Sequence, residues 1–292
     1  MDNGAGRKNE PGVTRQIDMA DANPTLEKVV VILSTGRTGT KALAHLFDES
    51  YDNVTALHEP KPSRHLRLLS NRAMARGMTT EAGVRALSKA RSKLLASLTT
   101  PVYVESNWYI YAFLDALRPV FGENTKVLLV VRDPRTYVPS MLNYGTYKGL
   151  KAVATRFLPY WYIRPEHMDK DAPKQWADMS KPERLAWHWH VANGEIDRGA
   201  EMFGDDYLFM RYEDLFATDG SGLARLLPWM GLPENAKLLE KIRGERVNAS
   251  TGRGNAAWAK IPVKERQAVL ELCGEQMKRY GYSIDDAVPA AS

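Results

Sequence analysis

Short, continuously apolar runs alternate along the chain with longer segments in which apolar residues recur at helical spacing. The short runs are typical of buried β-strands and the longer segments of amphipathic helices. The predicted strands are VVVIL (Val29 to Leu33), VTALH (Val54 to His58), VYVE (Val102 to Glu105), KVLLVV (Lys126 to Val131) and YLFM (Tyr207 to Met210). The predicted helices include Thr40 to Glu49 and Asn107 to Phe121. Because such strands separated by helices are typical of a parallel sheet covered on both faces, the pattern predicts a three-layer α/β fold with a central, mostly parallel sheet flanked by helices.

The length and composition of the chain favour one large domain. Its 292 residues, 44% of them hydrophobic, are enough to bury a single sizeable core, and the interior has no repeats and no low-complexity linker. The polar segment 1–24 and the small-residue segment 286–292 are predicted to be disordered tails. We therefore expect one domain over residues 25–285.

Charge, cysteine content and hydropathy limit the partners and the compartment. The formal net charge of +5 and the pI near 9.1 favour an anionic partner such as a nucleotide, a sulfated product or a nucleic acid, without choosing among them. The single cysteine, Cys273, excludes an internal disulfide framework and is predicted to be buried on an apolar helix. The first residues have no signal-peptide core and no run is long and apolar enough to span a bilayer, so we expect a cytoplasmic protein.

The sequence STGRTGT, from Ser34 to Thr40, joins the first predicted strand to the first predicted helix. A turn of this kind presents backbone N–H groups and the positive end of the helix dipole, which together form an anion site. The alternative is an ordinary tight turn that needs Gly36 and Gly39 for its geometry.

This loop does not have the spacing of a Walker loop. Gly36 and Gly39 are three positions apart instead of five, and Ala42 replaces the Ser or Thr that would hold magnesium. A magnesium-nucleoside-triphosphate enzyme is therefore disfavoured. Arg37 and Lys41 instead supply positive charge that suits a phosphate neutralised by side chains.

A second sequence, KVLLVVRDPRTYVPSML, puts Arg132 at the carboxyl end of a buried strand and Ser140 eight positions later. Pro134 suits the first turn of a helix, and eight residues span a little over two helical turns. Arg132 and Ser140 are therefore expected to converge on one group beyond the sheet edge. The alternative is that Arg132 caps the helix and pairs with Asp133, while Ser140 lies on the helix by chance.

Both sequences resemble motifs of one enzyme family. STGRTGT resembles the 5′-phosphosulfate-binding loop of the sulfotransferases that use 3′-phosphoadenosine 5′-phosphosulfate (PAPS), and VVRDPRTYVPS resembles their 3′-phosphate-binding motif. Weaker matches follow in the family's order: WHWHVAN, RYEDL and NASTGRGNAAW. The matches span Val29 to Tyr282. The resemblance implies a P-loop-like α/β fold and a sulfotransferase closer to the carbohydrate-type or bacterial branch.

The resemblance also implies roles for the matching residues. Arg37 would neutralise the oxygen that joins sulfate to the 5′-phosphate as that bond breaks, and Arg132 and Ser140 would bind the 3′-phosphate. The other residues expected around the 5′-phosphate are Gly36, Thr38, Gly39, Thr40 and Lys41, of which Lys41 departs from the hydroxyl residue of many members. Arg253 and Gly254 would close over the donor, although STGRGN departs from the Arg-Lys-Gly form of the cytosolic branch. The donor would be PAPS, the product 3′,5′-adenosine bisphosphate (PAP), and the reaction would demand no metal.

The general base is expected at the end of the second predicted strand, in TALHEPKP. Glu59 is the first choice, because the carbohydrate-type branch has a similar Glu-Pro at this position, and His58 is the second. The alternation of side chains along a strand predicts that these two point to opposite sides, so that only one faces the donor. The structural alternative is that Glu59 merely pairs with Lys61 or Arg64.

Other polar and aromatic residues have weaker interpretations. Glu105 either helps to position the acceptor or is a strand-end charge beside a helix cap at Ser106. His188 and His190 lie two positions apart on a predicted helix, so they face different sides and a metal site is disfavoured. Residues 143–181 are predicted to be a lid insertion on the acceptor side. Its aromatic residues either line the acceptor pocket or pack internally: Tyr144, Tyr147, Tyr160, Trp161 and Tyr162.

Two other classes of function stay open from the sequence. One is a nucleotide or small-molecule kinase of P-loop type, which the missing Walker spacing disfavours. The other is a non-catalytic nucleotide- or nucleic-acid-binding protein, which lacks the expected basic stripe interleaved with exposed aromatics, so no nucleic-acid partner is predicted. The expected acceptor is a small molecule or a carbohydrate. Its identity and the oligomeric state are left open.

Overall fold

A parallel sheet forms the middle of the protein. The computed structural model describes residues 23–145, 158–241 and 257–287. The strands are β1 Lys28–Ser34, β2 Val54–His58, β3 Val102–Ser106, β4 Thr125–Val131 and β5 Tyr207–Arg211. Their order across the sheet is β2-β3-β1-β4-β5, and all neighbouring pairs run parallel. The predicted α/β fold is confirmed, and each predicted strand occurs within a residue or two of its expected bounds.

Helices cover both faces of this sheet. Those with bounds inside the described residues are α1 Thr40–Ser50, α2 Ser63–Arg76, α3 Thr80–Ser97, α4 Leu114–Phe121, α5 Pro134–Tyr144, α6 Pro165–Met168, α7 Lys181–Asp197, α8 Gly199–Phe203, α9 Tyr212–Leu215, α10 Ser221–Met230 and α11 Val263–Arg279. Short 3₁₀ turns occur at Trp108–Ile110, Trp176–Asp178 and Gly204–Asp206. Pro134 occupies the first turn of α5, as predicted.

One predicted helix is wrong in its first half. The segment after β3 begins with a 3₁₀ turn at Trp108–Ile110, and the α-helix starts only at Leu114. The Asn107 side chain accepts a hydrogen bond from the Tyr109 N–H at 3.0 Å, so it caps this short turn locally. This capping by Asn107 stabilises a turn at a point where the apolar pattern suggested a continuous helix.

The alternating side chains of β1 contribute to two separate cores. Val29, Val31 and Leu33 pack in the core beneath α2, α3, α4, α5, α7 and α11, whereas Val30 and Ile32 pack in the core beneath α1, α9 and α10. The continuously apolar sequence of β1 therefore results from burial on both faces.

All five strands end at the same edge of the sheet because all are parallel. Ser34, His58, Ser106 and Val131 are the last residues of β1 to β4. This carboxyl edge is where ligands of open α/β sheets bind. The STGRTGT loop, the His58–Glu59 segment and the Arg132 motif therefore lie along the same edge of the sheet, although they are distant in sequence.

Contacts near both ends of the described chain extend to residues assigned to the tails. The buried Asn23 side chain donates hydrogen bonds to the carbonyls of Leu95 and Leu98 at 2.7 and 3.0 Å. The Trp258 indole donates to the Asp286 carboxylate at 3.0 Å. Cys273 is buried, as predicted. Of the helices within residues 23–145, 158–241 and 257–287, none has the length and apolarity that crossing a membrane requires.

Candidate functional site

The loop between β1 and α1 has an unusual backbone. Gly36 and Gly39 have φ angles of 82° and 71°, which glycine adopts without strain. Arg37 lies between them at φ 58°, in a region that a residue with a side chain seldom occupies. Strained non-glycine residues of this kind concentrate at functional sites.

Gly39 is required by packing as well as by its φ angle. A methyl group at this position would lie 2.7 Å from a ring carbon of Phe216 and 3.1 Å from one of Tyr212. These rings belong to α9 and the residue that follows it, which is the RYEDL region of the sequence. Close packing is therefore enough to explain why position 39 is a glycine. To this extent the interpretation of the loop as an ordinary tight turn holds.

The same loop has unused hydrogen-bonding capacity. No side chain caps the N-terminus of α1, so the first N–H groups of that helix have no partner within it. The hydroxyls of Thr35 and Thr38 are buried and form no hydrogen bond with the described residues. Free donors at a helix N-terminus beside the exposed Arg37 and Lys41 side chains fit a phosphate group.

The Arg132 motif meets this loop directly. Arg132 donates through Nη1 to the Arg37 carbonyl at 2.7 Å and through Nε to Thr136 Oγ1 at 2.9 Å. Arg37 in turn donates from Nε to Ser140 Oγ at 3.3 Å. The alternative that Arg132 pairs with Asp133 is wrong, because the Asp133 carboxylate binds the buried Arg135 at 2.6 Å. Two motifs about one hundred residues apart therefore form one cationic cluster.

The weaker motifs hold this cluster in place. The Trp189 indole, from WHWHVAN, donates to the Arg132 carbonyl at 2.8 Å. From RYEDL, the Tyr212 ring lies 4.7 Å from the Arg132 guanidinium carbon, and the Glu213 carboxylate accepts from the Asp133 N–H at 3.2 Å. Tyr282 donates to the same carboxylate at 2.7 Å. These segments fix the turn between β4 and α5.

The prediction that His58 and Glu59 point to opposite sides is wrong. His58 Nε2 lies 3.5 Å from Glu59 Oε1. The alternation ends because Glu59 has left the strand, with φ 47°, and its N–H donates to the Ser106 carbonyl at 2.8 Å. A hydrogen bond of 2.9 Å joins His58 Nδ1 to Ser106 Oγ. Both candidate bases therefore lie together at the end of β2, beside the last residue of β3.

Burial shifts the pKa values of these two groups in opposite directions. Burial raises the pKa of Glu59, although the Trp108 side chain and the charges of Arg67, Arg64 and Lys41 counteract this. Burial and the charge of Lys41 lower the pKa of His58, so its imidazole is neutral at neutral pH. A carboxylate with a raised pKa beside a neutral imidazole suits general-base chemistry.

The structural alternative for Glu59 is not observed. Within the described residues, the basic side chain within 4 Å of its carboxylate is that of His58, and neither Lys61 nor Arg64 forms an ion pair with it. Arg64 acts on Glu59 through its charge without such contact. The Glu59 carboxylate is thus not held in a surface salt bridge.

Trp108 connects the parts of the site and was not predicted from the sequence. Its side chain counteracts the rise in the pKa of Glu59, and its ring lies 3.8 Å from the position of a methyl group on Gly36. The ring also lies 5.0 Å from the Arg67 guanidinium carbon and packs edge-on against the His188 ring at 5.5 Å. The available signal was its place just beyond β3, at the edge where the other site residues lie.

Comparison with known proteins identifies the family of this chain. The family model described as "Sulfotransferase domain" matches residues 27–251. The chain belongs to the sulfotransferase family. It is therefore an enzyme that transfers a sulfuryl group, and the kinase and non-catalytic alternatives gain no support.

Solved sulfotransferase structures share the fold. The sulfotransferase domain from the curacin biosynthetic pathway aligns with a TM-score of 0.54 and 12% identity, over 89% of this chain and 99% of that chain. Sulfotransferase STF9 from Mycobacterium avium aligns with a TM-score of 0.54 and 12% identity, over 91% of this chain and 79% of that chain. At this identity the likeness shows the fold alone. A comparison with curated protein sequences gave no match.

Neither interpretation of Glu105 fits the structure of this sulfotransferase. The carboxylate is fully buried and binds Arg91 through two hydrogen bonds of 2.7 Å. Tyr103 and Asn107 also donate to it, at 2.9 and 2.8 Å. Glu105 is thus an internal ion-pair residue instead of a strand-end charge, and Ser106 is a strand residue instead of a helix cap. No local pattern indicates that Arg91, fourteen residues earlier, reaches this carboxylate.

The Arg91 pair permits a stability prediction. We expect Arg91→Met to lower the free energy of unfolding by about 3–5 kcal/mol, because it leaves the Glu105 charge buried without its partner. The double variant Arg91→Met/Glu105→Gln should recover part of this loss. Urea unfolding measures both, with Arg72→Met at an exposed position as the control. A loss below about 1 kcal/mol in Arg91→Met would contradict this role of the pair.

The predicted lid and basic loop are described only in part. Tyr147, Arg253 and Gly254 lie outside the described residues. The exposed Tyr144 ring lies 5.2 Å from the Arg37 guanidinium carbon. The carbonyls of Tyr160 and Trp161 accept hydrogen bonds from Asn71, and Tyr162 stacks on Trp176.

His188 lies under the donor-side loop. Burial and the charge of Arg67 lower its pKa to about 3, and the Thr35 backbone opposes this shift. The imidazole is therefore neutral at physiological pH and packs edge-on against the rings of Trp108 and Tyr111 at 5.5 and 6.3 Å. This packing was not anticipated from the sequence.

Proposed function

We propose that this sulfotransferase moves the sulfuryl group of PAPS to a hydroxyl or amine of a small-molecule or carbohydrate acceptor at the carboxyl edge of the sheet. The observation that carries the proposal is the contact between the two phosphate motifs, in which Arg132 binds the Arg37 carbonyl and Arg37 binds Ser140. A donor with two separate phosphate groups needs such a pair of sites, whereas a simple nucleoside triphosphate does not. The Glu59-Pro60 sequence favours the carbohydrate-type or bacterial branch.

The residues proposed to bind PAPS form two groups, one for its 5′-phosphate and one for its 3′-phosphate. The 5′-phosphate fits the N-terminus of α1, with charge from Arg37 and Lys41 and hydrogen bonds from the loop. The remaining residues proposed there are Gly36, Thr38, Gly39 and Thr40. The 3′-phosphate fits Arg132 and Ser140. Arg253 and Gly254, beyond the described residues, are proposed to cover the donor, and the catalytic domain is proposed to span residues 25–285.

The transfer step is an in-line displacement. The acceptor hydroxyl gives its proton to the Glu59 carboxylate while its oxygen bonds to the sulfur, and the bond from sulfur to the 5′-phosphate oxygen breaks on the opposite side. The products are a sulfate ester and PAP. Arg37 neutralises the charge that develops on the departing phosphate oxygen. His58, neutral and adjacent to Glu59, is the second candidate for the base.

The experiment that tests the proposal is an acceptor panel. Purified protein is incubated with PAPS and with sugars, phenols, lipids, amines and small hydroxylated metabolites, and the released PAP is quantified by chromatography. We expect PAP release that depends on one acceptor class and a product that is heavier by one sulfuryl group. The proposal would be contradicted if no compound in the panel raised the rate of PAP release above the rate measured without an acceptor.

A further inference from the structure

Arg67, on α2, lies inside a ring of aromatic side chains. Its guanidinium carbon is 5.0 and 5.9 Å from the ring centroids of Trp108 and Tyr109, which follow β3. It is 4.9 and 5.7 Å from those of Trp161 and Tyr162, which belong to the predicted acceptor-side insertion. Aromatic faces attract such a cation but leave the edge of the planar group free for hydrogen bonds.

Arg67 has no anionic contact among the described residues. Its side chain forms neither a hydrogen bond nor an ion pair there, and its buried Nε atom has no hydrogen-bond partner. Two fully buried arginines in the described part of the chain differ in this respect. Arg91 binds Glu105 and Arg135 binds Asp133. A partly buried guanidinium that forms no hydrogen bond or ion pair with the described residues has donors that a ligand would satisfy.

The surroundings of Arg67 connect it to the proposed general base. Its charge acts on the Glu59 carboxylate, the proposed base. The Trp108 ring that it faces also lies 3.8 Å from the position above Gly36, and the Trp108 side chain acts on the pKa of Glu59. A molecule that places its hydroxyl at Glu59 therefore has Arg67 and its aromatic walls beside it.

We propose that Arg67 is an acceptor-binding residue that holds an acidic oxyanion group, and hence that the acceptor is a hydroxylated acid with an apolar or ring-shaped body. This rests on the function proposed above and narrows its substrate class. A guanidinium binds a carboxylate, sulfate or phosphate through two parallel hydrogen bonds, and the rings of Trp108, Tyr109, Trp161 and Tyr162 would contact the carbon skeleton. Neutral sugars and alcohols would lack the group that satisfies Arg67.

Pairs of hydroxy acids and their methyl esters test this inference in the PAP-release assay. We expect the wild-type protein to use the acid better than the ester by roughly 10- to 100-fold in kcat/KM, the usual size of a charge-assisted contact. Arg67→Met should abolish this preference, and Arg67→Lys should keep part of it. The ratio within each variant cancels any effect that the lost charge has on Glu59. Arg72→Met, on the same helix but exposed, should keep the wild-type ratio.

The outcomes separate this inference from the proposed function. Equal use of acids and esters by the wild-type protein, or an unchanged acid preference in Arg67→Met, overturns the role of Arg67 alone. Absence of PAP release from every pair overturns the proposed function and this inference with it. Calorimetric titration with PAP checks that each variant is folded, since its affinity for PAP should stay within about threefold of wild type if Arg67 does not contact the donor.

Discussion

Replacing Glu59 by Gln is expected to lower turnover by about 10²- to 10⁴-fold, the usual contribution of a general base, while the affinity for PAP stays unchanged. The amide keeps the size of the side chain but cannot take the acceptor proton. The structure supports this choice over a structural role, because the half-buried carboxylate contacts His58 and lies beside Trp108 without an ion pair to Lys61 or Arg64 among the described residues.

The pH dependence of the wild-type protein should agree with this role. As the proposed general base, Glu59 would act only when deprotonated, so kcat/KM should fall as the pH drops through its pKa. Burial raises that pKa above the ordinary value of a glutamate. The acidic limb should be missing in Glu59→Gln. The control is Glu123→Gln, which makes the same substitution at an exposed glutamate. It should keep the wild-type turnover and the wild-type fall in kcat/KM at low pH. Near-normal turnover in Glu59→Gln would contradict this role of Glu59 and make His58 the candidate for the general base.

Replacing Arg37 by Ala is expected to lower kcat by about 10²- to 10³-fold, because the charge on the departing phosphate oxygen would lose the cation proposed to neutralise it. Arg37→Lys should recover part of the rate, since it restores charge without the planar geometry that reaches Ser140. Steady-state kinetics with varied PAPS separates the two effects. The control is Arg225→Ala, which removes an exposed arginine on α10.

Whether kcat or the KM for PAPS changes in Arg37→Ala distinguishes a catalytic role of Arg37 from a role in donor binding alone. A fall in kcat means that the side chain acts more strongly on the transition state than on bound PAPS. A rise in KM for PAPS with kcat unchanged would mean that Arg37 only binds the donor. That result would contradict the catalytic role and leave the loop as a binding element.

Most of the fold could be predicted from the sequence because the strands are buried on both faces. Short, continuous apolar runs such as VVVIL are typical of strands in covered parallel sheets, and the segments between them are long enough for crossover helices. The exception followed β3, where the Asn107 side chain caps a 3₁₀ turn and delays the helix to Leu114. A local hydrogen bond of this kind does not disturb the apolar pattern, so the pattern cannot predict it.

The site was predictable where its function depends on local sequence. The turn at STGRTGT and the spacing from Arg132 to Ser140 are properties of short segments. Glu59 turns back toward His58 because of one left-handed backbone angle, which strand alternation cannot anticipate. Glu105 contacts Arg91, and Arg67 contacts Trp161, only because elements that are distant in sequence pack together. These pairings follow from tertiary structure, so the interpretations of Glu105 from the sequence were wrong and Arg67 was not singled out.

The measurement that tests the central claim most directly is a comparison of donors with one accepted substrate. PAPS and magnesium ATP are each offered to the wild-type protein and to Ser140→Ala, and the transferred group is identified by mass spectrometry. We predict a sulfated product from PAPS alone, with the KM for PAPS raised in Ser140→Ala because a 3′-phosphate contact is lost. A phosphorylated product from magnesium ATP, or a KM for PAPS that Ser140→Ala leaves unchanged, would contradict the bisphosphate site.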